Sequence, residues 1–205
     1  LAKALTKIQD YTFPVSYNDL TLAYFKGTGA RTQGELGKAM RSFASNPKDA
    51  EAIKILRSNS SYVGTLGTTC VATMLRAGHA ENALPQSATA TVNCRIFPGA
   101  GVDKTLAQLK RLVDNSGVEF ALLDQPTETD ASPLREDVMS ALQKAIDVKH
   151  PGLEIIPSTS FGGTDGIYCR AAGISSYRVS GSYRKNNNSV SRGLNECVFV
   201  EGYLR

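Results

Sequence analysis

The sequence predicts an α+β fold, one sheet with helices packed on one face. Two runs rich in β-branched residues lie close together, Thr68–Arg76 and Ala88–Phe97. Helix-periodic segments flank them, at residues 1–10 before and 103–115 after. A third β-rich run, Val118–Leu123, follows. Alternation with period two marks strands, whereas an apolar stripe at three- and four-residue spacing marks helices. The order of elements then fits a single sheet that buries one face under helices.

The opening segment reads as the tail of a helix with Leu1, Leu5 and Ile8 on one face, broken by Phe13-Pro14-Val15. The chain opens on Leu1 rather than Met, so a mature or trimmed product is expected. Leu20–Phe25 is apolar and compatible with strand or helix. Thr32-Gln-Gly-Glu35 has capping-box spacing and predicts a helix over about 33–45. Asn46 followed by Pro47 predicts a second helix running to about 57. Residues 17–57 therefore read as a helical insertion. In the second β run, Val92, Cys94 and Ile96 share one face while Asn93 and Arg95 share the other. Cys70 and Cys94 fall on inward faces as potential cross-strand neighbours, and are read as buried free thiols. The helix over 103–115 turns Leu106, Leu109 and Leu112 or Val113 inward.

Residues 124–133, polar and proline-containing, mark a boundary between residues 1–125 and residues 132–205. Beyond it Ser132 and Pro133 start a helix to about 149 with Val138, Leu142, Ala145 and Ile146 on its buried stripe. Short strands are expected at 154–157 and 174–179, with a helical turn at 167–172. The pattern is α/β but short, so it reads as part of a larger domain.

Composition narrows the function. Of 205 residues, 41% are hydrophobic and 20% charged, which suits a globular chain. The net charge of +4 is dispersed over residues 1–125, aromatics are 7% and Trp is absent, so the basic stripe and stacking platform of a nucleic-acid binder are missing. No apolar run reaches the length of a membrane span. Cys70, Cys94, Cys169 and Cys197 form no CxxC pair and the only histidines are His79 and His150, a poor ligand set for a self-contained metal site.

Three motifs carry a resemblance. Gly78-His-Ala-Glu-Asn82-Ala-Leu-Pro85 leads into Ala88-Thr-Ala-Thr-Val92-Asn-Cys-Arg95-Ile-Phe-Pro98-Gly99. Gly162-Gly-Thr-Asp165-Gly166 and Gly193-Leu-Asn-Glu196 follow in the same order. Together they resemble the zinc-dependent aminoacylase and carboxypeptidase family, which includes acetylornithine deacetylase and glutamate carboxypeptidase. The resemblance implies that residues 1–125 are a ferredoxin-like lid or dimerisation domain, a four-stranded antiparallel sheet with helices on one face. It implies that residues 132–205 are the C-terminal part of a split α/β catalytic domain. The implied chemistry is hydrolysis of an amide bond next to a free carboxylate, in a small peptide or N-acyl amino acid, by metal-activated water.

The family's His-x-Asp and Glu-Glu metal motifs are absent, and Arg192 stands where the family has its last histidine ligand. An arginine offers no lone pair to zinc. Zinc is therefore expected of the complete family but not of this chain alone, which is expected to be inactive and to lack the N-terminal catalytic half. By resemblance Asn82 and Arg95 hold substrate across a homodimer, Asn82 polarising a carbonyl oxygen and Arg95 gripping a carboxylate. The plain alternatives are a turn asparagine and a surface-strand arginine. Gly162, Gly163 and Thr164 would offer N–H groups and a hydroxyl to an anionic substrate end, or simply form a tight turn. Asp165 caps the following helix or orients a neighbour. Glu196 packs near the glycine loop or acts as a base. His79 reads as a solvated turn residue. Two other readings remain: a non-catalytic homodimerisation or binding module that kept the fold, and a regulatory ferredoxin-like ligand domain.

Overall fold

The computed structural model describes residues 1–159, 163–179 and 200. Helix α1 (Ala2–Asp10) buries Ala4 and Ile8 against α6 (Val102–Val113), which buries Thr105, Leu109 and Val113. Leu5 is only half-buried and Leu1 is exposed, because the buried stripe is centred on Ala4. The Lys7 ammonium donates to the Val113 carbonyl at 2.8 Å. This satisfies a last-turn carbonyl that has no partner within its own helix, and places a cation at the negative end of the dipole.

Between them the chain makes a helical excursion. Helix α2 (Asp19–Arg31) settles the ambiguity of Leu20–Phe25 in favour of helix. Its start is fixed by a capping box, in which Thr21 N–H donates to Asn18 Oδ1 at 3.0 Å. The box expected at Thr32–Glu35 does not form. Thr32 ends α2, and α3 (Gly34–Ser45) starts from Gln33 without a side-chain cap. Asn46 likewise closes α3, and the cap of α4 (Ala50–Arg57) is Asp49, whose carboxylate accepts from Glu51 and Ala52 N–H. The turn through Pro47 shifts the helix start by three residues and gives the cap to Asp49, the better-placed acceptor. A short α5 (Ser60–Val63) and a 3-10 turn (Gly64–Leu66) lead back.

This excursion has its own core. Phe25, Met40, Phe43, Leu56 and Leu66 are fully buried together, with Phe25 and Phe43 in edge contact at 5.3 Å between centroids. Gly29 allows the close α2–α3 crossing: a Cβ there would stand 2.8 Å from Met40 Cβ. The excursion is tied to the preceding segment by Arg57 donating to the Phe13 carbonyl at 2.6 Å and Ser16 N–H donating to Leu66 O at 2.9 Å.

Strands β1 (Thr69–Ala77) and β2 (Ala88–Arg95) form an antiparallel hairpin, paired from Thr69↔Arg95 to Ala77↔Ala88, with a bulge between Ala72 and Met74. They are the paired strands among the described residues. Val118–Leu123 makes no ladder there, although Val118 and Phe120 pack on the α1–α6 cluster beside Cys70, Val92 and Cys94. The architecture is thus α+β, with helices on one face of the sheet.

Past Asp124, helix α7 (Glu136–Lys149) begins three residues after the expected start. The Ser132 hydroxyl does not cap it. Instead it donates to Ser176 O and accepts from Ser176 N–H, both at 2.9 Å. Val138, Leu142 and Ile146 are half-buried, and Ala145 is exposed. The segments at 154–157 and 174–179, expected as strands, are held by side chains instead of a ladder. Gln143 clasps Leu153 O and Ile155 N–H, and Tyr177 OH donates to Pro133 O at 2.6 Å. A strand needs a neighbour to satisfy its backbone, and none pairs with these segments among the described residues. Helix α8 (Gly166–Ala171) forms the expected helical turn.

Candidate functional site

Arg95 is the last residue of β2 and exposed, while Cys94 before it is half-buried against the helices. Strand alternation places the two on opposite faces as expected. The base of the hairpin is locked on both sides of this position. Thr68, buried, accepts Phe97 N–H at 3.0 Å on its hydroxyl, and Phe97 is itself buried. One residue inward, Cys70 and Cys94 face each other and are joined in a disulfide. That corrects their reading as free thiols. Buried location alone suggested reduced cysteines, but the hairpin register makes the two directly opposite, and direct opposition puts the sulfurs within bonding reach. Cys169, on α8, is free and exposed.

Arg95 lies in an open concavity of about 500 Å³ lined with Thr69, Val71, Thr73 and Asn93. These residues share the sheet face that the helices leave uncovered. A guanidinium here presents its fork of donors to solvent, beside hydroxyls and an amide that can complete the shell of a bound oxyanion. Asn93 was legible from β2 alone. The β1 contribution required the register, which no motif in the sequence encodes.

Asn82 stands apart. It is exposed in the connection after Ala77, beyond the Ala77↔Ala88 pair that ends the ladder. From Arg95 to Ala88 the strand runs about 23 Å at about 3.3 Å per residue, so one hairpin does not bring Asn82 and Arg95 to one small ligand. His79 is exposed in the same connection and Leu84 there is 91% exposed.

Gly163, Thr164 and Asp165 form the exposed approach to α8 and are not among the residues lining the Arg95 concavity. Asp165 occupies the cap position, yet its side chain makes no capping bond, so the expected cap is positional only. Thr164 Oγ1 and an Arg170 guanidinium nitrogen each lie 3.3 Å from where a Cβ on Gly166 would sit, and Arg170 Nε donates to Thr129 Oγ1 at 3.2 Å. This arginine therefore ties α8 to the inter-segment connection. Gly162, Arg192, Gly193, Glu196 and Cys197 lie outside the described residues.

Among the described residues no group of three or more His, Cys, Asp or Glu side chains is arranged to hold a metal ion. The donors of the described residues do not fit zinc. No helix among the described residues is long and apolar enough to cross a membrane.

The peptidase dimerisation domain family, M20_dimer, matches residues 1–121. The human N-fatty-acyl-amino acid synthase/hydrolase PM20D1 is 25% identical over 209 residues, covering 99% of this chain and 41% of the relative. The Xenopus tropicalis protein of the same name is 30% identical over 154 residues, 72% of this chain and 29% of the relative. A probable carboxypeptidase S-like 2 of Dictyostelium discoideum is 25% identical over 99 residues, 48% of this chain and 19% of the relative. The chain thus spans less than half the length of these relatives. No solved structure matches.

Proposed function

Since the chain belongs to the peptidase dimerisation domain family, we propose that residues 1–125 act as the homodimerising lid of a metal-dependent amidohydrolase. Residues 132–205 are proposed as the C-terminal part of its split catalytic domain. The reaction is hydrolysis of an amide bond next to a free carboxylate. The names of the relatives, N-fatty-acyl-amino acid synthase/hydrolase and carboxypeptidase S-like, support that class. In this reading the chain supplies substrate-holding groups, and the metal centre is built from residues other than those described.

The observation that carries the proposal is the exposed Arg95 on the uncovered face of the sheet, at the end of a strand fixed by the Cys70–Cys94 bridge and the Thr68–Phe97 bond. Its role is to anchor the substrate carboxylate. Asn82, at the far end of the hairpin, is proposed to reach the active site of the second subunit, where it polarises the scissile carbonyl. Gly162, Gly163 and Thr164 offer donors on the catalytic side, and Asp165 orients the loop. The four-stranded, ferredoxin-like sheet is completed by segments flanking the hairpin. Val118 and Phe120, packed on the same cluster as Val92 and Cys94, support 118–123 as one of them.

The test combines metal analysis with amidase assays on N-acyl amino acids and dipeptides. The chain alone is expected to carry far less than one zinc per molecule after dialysis and to give no turnover. Near-stoichiometric zinc with turnover would overturn the division of labour. Unfolded or aggregated protein is screened out first by circular dichroism and light scattering.

A further inference from the structure

Helix α2 carries two glycines, Gly27 and Gly29, and glycine is the poorest helix residue after proline. Gly29 is accounted for within the excursion by the crossing with α3. Gly27 is not. The three atoms nearest to where its Cβ would sit all belong to Ile156, with Cγ1 at 3.1 Å, Cγ2 at 3.2 Å and Cδ1 at 3.5 Å. The Ile156 side chain therefore lies on the bare backbone of α2. One turn further on, Arg31 spans the same contact. Its guanidinium donates to the Gly27 carbonyl at 3.0 Å through Nη1 and to the Glu154 carboxylate through Nη2. The strip that receives α2 is fastened to α7. Gln143 Nε2 donates to Leu153 O at 2.8 Å, and Gln143 Oε1 accepts from Ile155 N–H at 3.3 Å. Residues 153–156 are thus gripped between α7 and α2.

The excursion does not depend on this contact for its own core, which is made among residues 15–66. Its two ends are closed on each other by Ser16 and Leu66, and it runs through Gly67 straight into the hairpin base at Thr68. The chain crosses from one part to the other a second time, through residues 124–135, and this connection is held from both sides. Glu128 accepts Val102 N–H of α6 at 2.6 Å, while Arg170 and Ser176 hold Thr129 and Ser132. A linker alone leaves two units free to move against each other. A second attachment, remote from the linker along the chain, takes that freedom away. This one is weak enough to open. It rests on one apolar side chain and on an ion pair whose partners are 45% and 74% exposed, and exposed pairs contribute little.

We propose that the helical excursion is a latch. With α2 docked on residues 153–156, the lid is held at one angle to the C-terminal segment. Undocking of Gly27 from Ile156, with residues 124–135 as the hinge, releases it. The inference rests on the reading of residues 1–125 as a lid and adds what sets its angle. It also explains Gly27, since a side chain there wedges the contact open while leaving the hydrogen bonds within α2 intact.

The test is a double electron–electron resonance distance between nitroxides attached at Lys38→Cys on α3 and Lys144→Cys on α7, both exposed positions. Cys169 and Cys197 are replaced by serine, and the labelled chain is diluted with excess unlabelled chain so that distances within one chain are read. The parent is expected to give one narrow distribution. Gly27→Leu and Ile156→Ser are each expected to broaden it about twofold or more and to add longer distances. Gly27→Leu puts a good helix former in place of a poor one, so circular dichroism should show α2 intact. Ile156→Ser lies outside the excursion and leaves its core untouched. Lys26→Leu, which adds the same side chain at the exposed neighbouring position, should leave the distribution narrow. A broad distribution in the parent, or a narrow one in both contact variants, would overturn the latch. So would equal broadening by Lys26→Leu. Sedimentation separates the latch from the lid reading. A dimer with a broad parent distribution sinks the latch and spares the lid; a monomer with a narrow distribution and responsive variants does the reverse.

Discussion

Two cases show how side chains fix local structure, one at the base of the hairpin and one at the start of α4. The Cys70–Cys94 bridge closes a loop with a sequence separation of 24 at the base of the hairpin. Constraint of the unfolded chain by a loop of that size is worth about 3 kcal/mol. The double variant Cys70→Ser/Cys94→Ser is expected to lose stability of that order in chemical denaturation. In the native oxidised chain a thiol reagent should label the exposed Cys169 readily and leave Cys70 and Cys94 unlabelled until a reductant is added. Asp49 is the second case. The Ser42 hydroxyl first, then the N–H groups of Ala52 and Glu51, hold its carboxyl below the usual aspartate range. A carboxyl lowered by folding stabilises the fold above its unfolded value and loses that contribution as pH falls through its folded value. Asp49→Asn should therefore lower the denaturation midpoint near neutrality, and the gap to the parent should close as pH drops below the ordinary aspartate range. A gap that persists in acid would assign the effect to something other than the ionised cap.

At the scale of elements, the described residues form two separate cores, one in the excursion from α2 to the 3-10 turn and one between α1, α6 and the sheet. Phe43 is fully buried in the first. Truncating it to alanine removes its packing and leaves a cavity, at a cost of about 3–5 kcal/mol. Calorimetry of Phe43→Ala is expected to show a lower melting transition, while amide hydrogen exchange still reports protected backbone in the Cys70–Cys94 hairpin. Simultaneous loss of both would mean that the two cores unfold as one. The long elements were legible because their periodicity is internal: α3 within 33–45, α6 within 103–115, and the alternation of β2 that separates Arg95 from Cys94 all come from neighbours in sequence. Boundaries at Asn46, Thr32 and Ser132 were misplaced because several residues there can cap, and tertiary hydrogen bonds choose among them. The Ser132–Ser176 pair is such a choice, made across 44 residues. The segments at 118–123, 154–157 and 174–179 form no ladder among the described residues for a related reason. β-rich composition gives the tendency, but a ladder needs a partner. The candidate site is half legible: the motifs single out Arg95 and Asn82, while Thr69, Val71 and Thr73 join the Arg95 concavity only through the register of β1 on β2.

For the whole molecule, the proposed dimer follows from how the hairpin lets two copies meet. Its outward face carries the exposed Arg95 and Arg76, which join no ion pair among the described residues, and disfavours self-contact, so in the proposed dimer association falls to strand edges, whose free N–H and C=O groups seek a partner. A two-fold axis lets the same edge serve both subunits. This also resolves the separation of about 23 Å between Arg95 and the end of the ladder. In the proposed dimer the two ends of one hairpin would serve different active sites, each completed by the other subunit. Association through backbone pairing and apolar contact is screened little by salt, so the dimer should persist at high ionic strength. Sedimentation velocity on the 205-residue chain, across concentrations from well below to well above the micromolar range, tests this most directly. A discrete species of twice the 22.0 kDa chain mass is expected, populated reversibly and unchanged at high salt. A single monomeric species at every concentration would contradict the account.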